Sequence, residues 1–278
     1  MQTSRLDWIK RHPLIFYFPL TYAVTWGFHL PLALAARGLI DAQVPRAIHY
    51  LGAFGPMIAA MILIWRTDGA AGLRALVSRW FKWRVEARYY AFAVLVPISF
   101  FALAVLSNRL MSGSWPDLAL LGAADYLPQL GPVAVFCLWF LTYGLGEETG
   151  WRGYALPLLQ RRYSAASATL ILGVLWAFWH LPAFFYRDTY VQMGLLGFPI
   201  FLVSIMFAAM IFTWLYNSTN GSLLLVILFH AVFNWLSVSE AGGSSAGVIM
   251  TLPVIFWAVF VRRRYGPENA APTRRQIS

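Results

Sequence analysis

Long apolar runs, separated by short polar stretches, follow one another along almost the whole chain. A run of roughly 17–25 apolar residues is long enough to cross the hydrocarbon core of a bilayer as a helix. We count eight such runs, which are centred on Tyr22, Ala59, Val96, Leu138, Val174, Met206, Ile227 and Ile255. The pattern therefore predicts an all-α, polytopic membrane protein of about eight transmembrane helices.

One segment has a different periodicity. Between Ala71 and Glu86, polar residues recur every four positions at Arg74, Ser78 and Lys82, and most of the apolar residues fall on the opposite side of a helix. A helix of this kind lies in the headgroup layer of a membrane. We therefore expect one amphipathic interfacial helix in addition to the transmembrane helices.

The polar stretches divide the chain into three regions. Residues 1–129 are predicted to form transmembrane helices 1–3 with the interfacial helix, and 130–240 to form helices 4–7. Residues 241–278 are predicted to form the last transmembrane helix and a basic cytoplasmic tail. The stretch 108–129 is expected to be a non-cytoplasmic loop, and the tail after Arg262 is expected to be disordered.

Composition and charge support a membrane protein and suggest its orientation. Of the 278 residues, 60% are hydrophobic and only 12% are charged, whereas soluble domains carry about 25% charged residues. If both termini share one side, that side holds most lysines and arginines, and the other holds only Arg37, Arg46, Arg109 and Arg187. Basic residues concentrate on the cytoplasmic side. We therefore expect an integral protein of the plasma (inner) membrane with both termini cytoplasmic, and no nucleic-acid partner for the net charge of +10.

The fourth apolar run leads directly into two acids, Glu147 and Glu148. Ionisable groups at membrane depth are rare unless they have partners or a function. Glu148 and Arg152 are four residues apart, so they share a helix face and can pair. Glu147 points about 100° away from that face. We predict that Glu148 and Arg152 support the site structurally and that Glu147 is free to act.

Two later runs each contribute a histidine at a compatible depth. The basic turn at 161–164 lies midway between Glu147 and His180, so the two side chains lie level in an antiparallel hairpin. The seventh run adds His230 and Asn234, which share a helix face. Three helices can therefore converge on one buried polar pocket.

These residue types suit the hydrolysis of an amide bond. A carboxylate in an apolar site can act as a general base on water, and His180 can share that water's proton. His230 and Asn234 can donate hydrogen bonds to the oxyanion that forms at the attacked carbonyl. A lone membrane histidine is as often a helix–helix partner, and Trp176 and Trp179 are interpreted as packing. The prediction therefore depends on the joint occurrence of the four polar residues.

At these residues the chain resembles the CPBP family of intramembrane proteases (CAAX protease and bacteriocin-processing, or Abi, proteins), which includes the type II CAAX prenyl endopeptidases. The family pattern is Glu-Glu-x-x-x-Arg, then Phe-x-x-x-His, then His-x-x-x-Asn or Asp. The corresponding residues here are Glu147, Glu148 and Arg152, then Trp176 and His180, then His230 and Asn234. The resemblance covers roughly 130–239 and implies a catalytic core in which Glu147 and His180 activate water, His230 and Asn234 form the oxyanion site, and Glu148 and Arg152 support it.

The resemblance also bears on cofactors and partners. It implies a metal-free glutamate mechanism, so no cofactor is expected, and the chain has no His-Glu-x-x-His motif. Glu147, His180 and His230 are nevertheless a ligand set that zinc accepts, and this alternative stays open. The expected partners are the lipid bilayer and a peptide or protein substrate that enters from the membrane or the cytoplasmic side.

Two other classes of function stay open at this point. A non-catalytic protein of the same fold could bind a peptide, or confer bacteriocin immunity, without cutting. A proton-coupled transporter would also need buried acids and histidines. Transporters usually have repeats with broken helices in both halves, whereas the polar runs here lie in the second half.

Overall fold

The computed structural model describes residues 5–123, 125–238, 241 and 246–278, and every regular element in those ranges is helical. This confirms the all-α prediction. The eight main helices are α1 (Pro13–Ala36), α2 (Gly55–Ser78), α3 (Ala87–Ser112), α4 (132–160, a series of consecutive helical stretches), α5 (Ala165–Trp179), α6 (Phe198–Ser218), α7 (Leu223–Ser237) and α8 (Ala246–Asn269). Shorter helices are Arg5–Arg11, His49–Gly52 and Asp188–Met193.

Five helical stretches in the described residues are long and apolar enough to cross a membrane: Arg46–Phe81, Ala87–Ser112, Ala165–Phe185, Leu195–Ser218 and Ala246–Asn269. A polytopic membrane protein is therefore supported, but the count of eight is not confirmed. The helices that hold the first, fourth and seventh predicted runs, α1, α4 and α7, are not among the five. Helix α7 is apolar but has only 15 residues.

The predicted interfacial helix has different bounds in the structure. Helix α2 bends at Gly69, whose φ of 63° suits a residue without a Cβ, and it continues to Ser78. One further helical turn, Arg79–Phe81, follows, and the residues up to Glu86 are not helical. The segment is therefore the second arm of a kinked helix. In this arm Leu76 is buried and Arg74 is exposed, but a separate amphipathic interfacial helix is not confirmed.

The prediction of a disordered tail is wrong. Helix α8 extends to Asn269, and the residues after it bond to two buried amides, Gln160 on α4 and Asn217 on α6. The Gln160 amide donates to the Gln276 carbonyl (2.6 Å), and the Gln276 backbone N–H donates to Asn217 Oδ1 (3.1 Å). Buried amides need hydrogen-bond partners, and the tail supplies them.

Helix α4 lies at the centre of the packing. It contacts α2 on one side and α7 on another, while α5 packs against α6, and α8 packs against α3 and α6. The contact with α2 is very close: a Cβ at Gly146 would lie 2.7 Å from the Ala53 carbonyl oxygen, and one at Gly150 would lie 2.4 Å from the Pro56 backbone. The small residues at 52–56 therefore serve close helix contact, as expected for membrane helices.

Candidate active site

The helix that carries the two acids has an unusual backbone. Two π-helical stretches, Phe140–Glu147 and Trp151–Ala155, flank a single α-helical turn, Glu148–Gly150. Such wide turns are uncommon and are often found at functional sites. Glu147 and Glu148 are 2% and 0% exposed, so both carboxyl groups are buried.

Glu148 is held by two basic side chains. Arg152 Nη1 donates to both carboxylate oxygens of Glu148, at 2.9 and 3.0 Å, so the pair predicted from the i, i+4 spacing is present. His230 on α7 places its Nδ1 2.7 Å from Glu148 Oε1. The sequence did not predict this second contact. Glu148 therefore joins α4 to α7 and has the partners of a structural carboxylate.

The guanidinium of Arg152 lies against two aromatic rings. Its Cζ is 4.3 Å from the centre of the Phe212 ring and 4.6 Å from the Trp176 ring. Cation–π contacts of this kind stabilise a desolvated cation. The Arg152 Nε and Nη2 are buried and have no hydrogen-bond partner among the described residues, so these rings are part of what holds the charge.

Glu147 has a different partner, the indole of Trp176. The Trp176 Nε1–H donates to Glu147 Oε2 at 2.9 Å. The Trp176 carbonyl lies 2.7 Å from His180 Nδ1, and the Trp176 ring is 5.8 Å from the His230 ring. Trp176 therefore contacts Glu147, His180 and His230. The sequence analysis interpreted Trp176 only as a packing residue and did not predict these contacts. Its indole N–H, a hydrogen-bond donor, was the feature that could have indicated a polar role.

His180 follows the last residue of α5 and is half-buried. A carbonyl oxygen can only accept a hydrogen bond, so the contact with Trp176 places a proton on Nδ1, and in the neutral imidazole Nε2 then has a lone pair. Among the described side chains, no hydrogen bond joins His180 directly to Glu147 or His230. Asn234 lies one turn beyond His230 on α7 and is half-buried.

Glu147, His180 and His230, the ligand set considered for zinc, each have a protein partner. These partners are the Trp176 indole for Glu147, the Trp176 carbonyl for His180, and Glu148 for His230. Within the described residues, no group of three or more His, Cys, Asp or Glu side chains is arranged to hold a metal ion.

Comparisons with known proteins agree with the motifs. Residues 129–236 match the sequence model of the family described as Type II CAAX prenyl endopeptidase Rce1-like. The chain is also 27% identical over 224 residues to a protein of Methanococcus maripaludis named CAAX prenyl protease 2, covering 78% of this chain and 81% of that protein. The matched family region contains every site residue from Glu147 to Asn234. The resemblance to the type II CAAX prenyl endopeptidases is confirmed, and both matches support a protease.

Proposed function

We propose that this chain, a protease by its Rce1-like region, is an intramembrane endopeptidase in which Glu147 acts as general base on water. The observation that carries the proposal is the unequal environment of two adjacent buried acids. Glu148 is neutralised by Arg152 and approached by His230, whereas Glu147 receives one neutral N–H from Trp176. A carboxylate without a cationic hydrogen-bond partner keeps more of its basicity, so Glu147 is the acid suited to take a proton.

The hydrolysis proceeds in two proton transfers. Glu147 Oε2 accepts from Trp176, and Oε1 accepts the proton of the attacking water, while the lone pair on His180 Nε2 orients that water. The new C–O bond places negative charge on the former carbonyl oxygen. Glu147 then gives its proton to the departing amine as the C–N bond breaks, which is general base catalysis followed by general acid catalysis.

Asn234 and His230 stabilise the oxyanion in this proposal. The Asn234 amide is a donor in any state, but His230 uses Nδ1 toward Glu148 and can donate from Nε2 only as an imidazolium. Two carboxylates and one guanidinium leave one negative charge uncompensated in the buried cluster. A charged imidazolium at His230 would bring the net charge of the cluster to zero. This matters because a net charge in an apolar interior is costly.

The membrane setting completes the proposal. We place both termini in the cytoplasm, on the argument from basic residues, and a peptide substrate enters from the membrane or the cytoplasmic side. The proposed mechanism needs no metal, because Glu147 itself takes the proton of the attacking water.

The test is peptidase activity and metal content of detergent-purified wild type beside Glu147→Ala. We expect the wild type to cleave peptides, to keep its activity after chelation and to contain no stoichiometric zinc. Loss of the base lowers the rate by about 10²–10⁴-fold. The matched control is Glu86→Ala, an exposed acid in a surface pair with Arg88, which leaves the rate unchanged.

Two results would change this account. Stoichiometric zinc, with activity lost on chelation, contradicts the metal-free mechanism but leaves the assignment of the site residues unchanged. An inactive but folded wild type, together with a His230→Ala variant that still protects cells against a bacteriocin, supports the peptide-binding or immunity alternative.

A further inference from the structure

Two adjacent side chains hold the helix that carries the two acids from the side of α2. Arg79 and Trp80 lie in the single helical turn that follows Ser78, and both are half-buried. Arg79 Nη2 donates to the Gly153 carbonyl of α4 at 2.8 Å, and the Trp80 Nε1–H donates to the Thr149 hydroxyl at 3.0 Å. Because positions 149 and 153 are four residues apart, the two bonds reach one side of α4.

The Gly153 carbonyl cannot take its usual α-helical partner. That partner is the N–H of the residue four positions later, which is Pro157 and has no N–H. Gly153 is buried, and a buried carbonyl without a partner is costly. Arg79 donates to this carbonyl from outside the helix, and its Nη1 also donates to the Tyr216 hydroxyl of α6 at 2.9 Å. The guanidinium is therefore fixed between α4 and α6.

The two bonds lie beside the ion pair of the site. Thr149 directly follows Glu148, and Gly153 directly follows Arg152. The carboxylate and the guanidinium of that pair are fully buried and meet at 2.9 and 3.0 Å. Contacts of this length depend on the backbone positions of both residues, so a displacement at 149 or 153 alters them.

We propose that Arg79 is a positioning residue for the turn of α4 that carries the acids, and that Trp80 is the second point of attachment. The proposal rests on the proposed function. Neither side chain takes part in the proton transfers described above, and each acts through α4. Together they keep Glu148 and Arg152 paired, and the adjacent Glu147 is thereby kept directed at the attacking water.

The test measures kcat and KM separately for wild type, Arg79→Gln and Arg79→Lys in one detergent, with each rate divided by the folded fraction. We expect Arg79→Gln to lose about tenfold or more in kcat, because small displacements of catalytic groups lower the rate this strongly. KM should change by less than about twofold, since neither side chain binds the substrate. Arg79→Lys should recover part of the loss, because it keeps a charged donor. The matched control is Arg74→Gln, at an exposed position of the same arm, which leaves kcat unchanged.

A second background tests the route through Gly153. Pro157→Ala returns a backbone N–H to the position four residues after Gly153. Arg79→Gln should therefore lose less in kcat in the Pro157→Ala background than in the wild type. Should Arg79→Gln not fold, Trp80→Phe keeps an aromatic ring and removes only the N–H that Thr149 accepts, and it should still lower kcat without changing KM.

Three results would overturn the inference. They are a folded Arg79→Gln variant with the kcat of the wild type, a Trp80→Phe variant with that kcat, and an equal loss for Arg79→Gln in both backgrounds. Each of these leaves the proposed function standing, provided that Glu147→Ala is inactive. A wild type that cleaves no peptide overturns the proposed function and this inference with it.

Discussion

The two adjacent glutamates of this site have opposite surroundings although they are neighbours in the chain. Glu148 has two basic partners within 3.0 Å, Arg152 and His230. Glu147 has one neutral donor, Trp176. A single step along the helix thus separates a carboxylate that joins α4 to α7 from one whose only hydrogen-bond partner among the described residues is a neutral indole N–H.

Trp176→Phe isolates the contribution of the indole N–H. The substitution keeps an aromatic ring, as in the family pattern, and removes the hydrogen bond to Glu147 Oε2. A hydrogen bond to a charged group contributes about 1.5–3 kcal/mol, and about 1.4 kcal/mol corresponds to tenfold in rate. We therefore expect kcat/KM to fall about tenfold or more in a peptidase assay.

The matched control for this variant is Trp179→Phe. Trp179 is also buried, and its Nε1–H donates to Thr25 on α1, outside the acid pair. Loss of this hydrogen bond should lower the midpoint of thermal unfolding, and it should reduce the rate of peptide cleavage less than Trp176→Phe does. Equal losses of activity in both variants contradict a specific role for the Trp176 hydrogen bond.

Spacing along a helix was enough to predict some of these contacts. The pair Glu148–Arg152 follows from four-residue spacing. Hairpin symmetry predicted Glu147 and His180 at one depth, and in the structure both contact Trp176. The contact between Glu148 and His230 could not be predicted, because two helices distant in sequence must rotate toward each other.

At the scale of elements, the site depends on how closely α4 approaches α2. Gly146 and Gly150 face the backbone of 53–56 with no room for a side chain. The small residues at 52–56 allow this close packing, as is usual at membrane helix interfaces. The sequence analysis did not predict the π-helical turns of α4. It also treated 71–86 as a separate helix, whereas α2 continues through a kink at Gly69 to Ser78.

Gly150→Ala should disturb this contact. Its Cβ would lie 2.4 Å from the Pro56 backbone, and forcing atoms into a packed interface typically costs about 1–3 kcal/mol. We expect a lower midpoint of thermal unfolding and reduced peptidase activity, because the shift moves the turn that carries Glu148. Thermal unfolding in detergent measures the first effect.

Gly27→Ala on α1 is the control, since nothing lies within 4 Å of its Cβ position. Alanine favours a helix over glycine by about 1 kcal/mol, so this variant should be as stable as the wild type or more so. Similar midpoints for the two variants would show that the contact between α2 and α4 is not tight.

At the scale of the whole molecule, the C-terminal tail joins helices that are far apart in sequence. Besides its bonds to Gln160 and Asn217, it reaches Arg79, whose Nη1 lies 3.4 Å from the Ser278 carbonyl oxygen. Arg79 also donates to the Gly153 carbonyl at 2.8 Å, on the helix of the two acids. The composition of the tail predicted disorder because Arg79, Gln160 and Asn217, which it contacts, lie more than 50 residues before it in the chain, where local sequence carries no signal.

The central claim is that the two glutamates have different functions, and one comparison tests it most directly. Peptidase rate and thermal stability are measured side by side for wild type, Glu147→Gln and Glu148→Gln in the same detergent. Glu147→Gln should lose about 10²-fold or more in rate with an almost unchanged midpoint of unfolding.

Glu148→Gln should instead lose stability, because it leaves Arg152 buried without a carboxylate, and breaking a buried ion pair costs about 3–5 kcal/mol. A Glu147→Gln variant that cleaves at the wild-type rate would contradict the account. So would a Glu148→Gln variant that is inactive but as stable as the wild type.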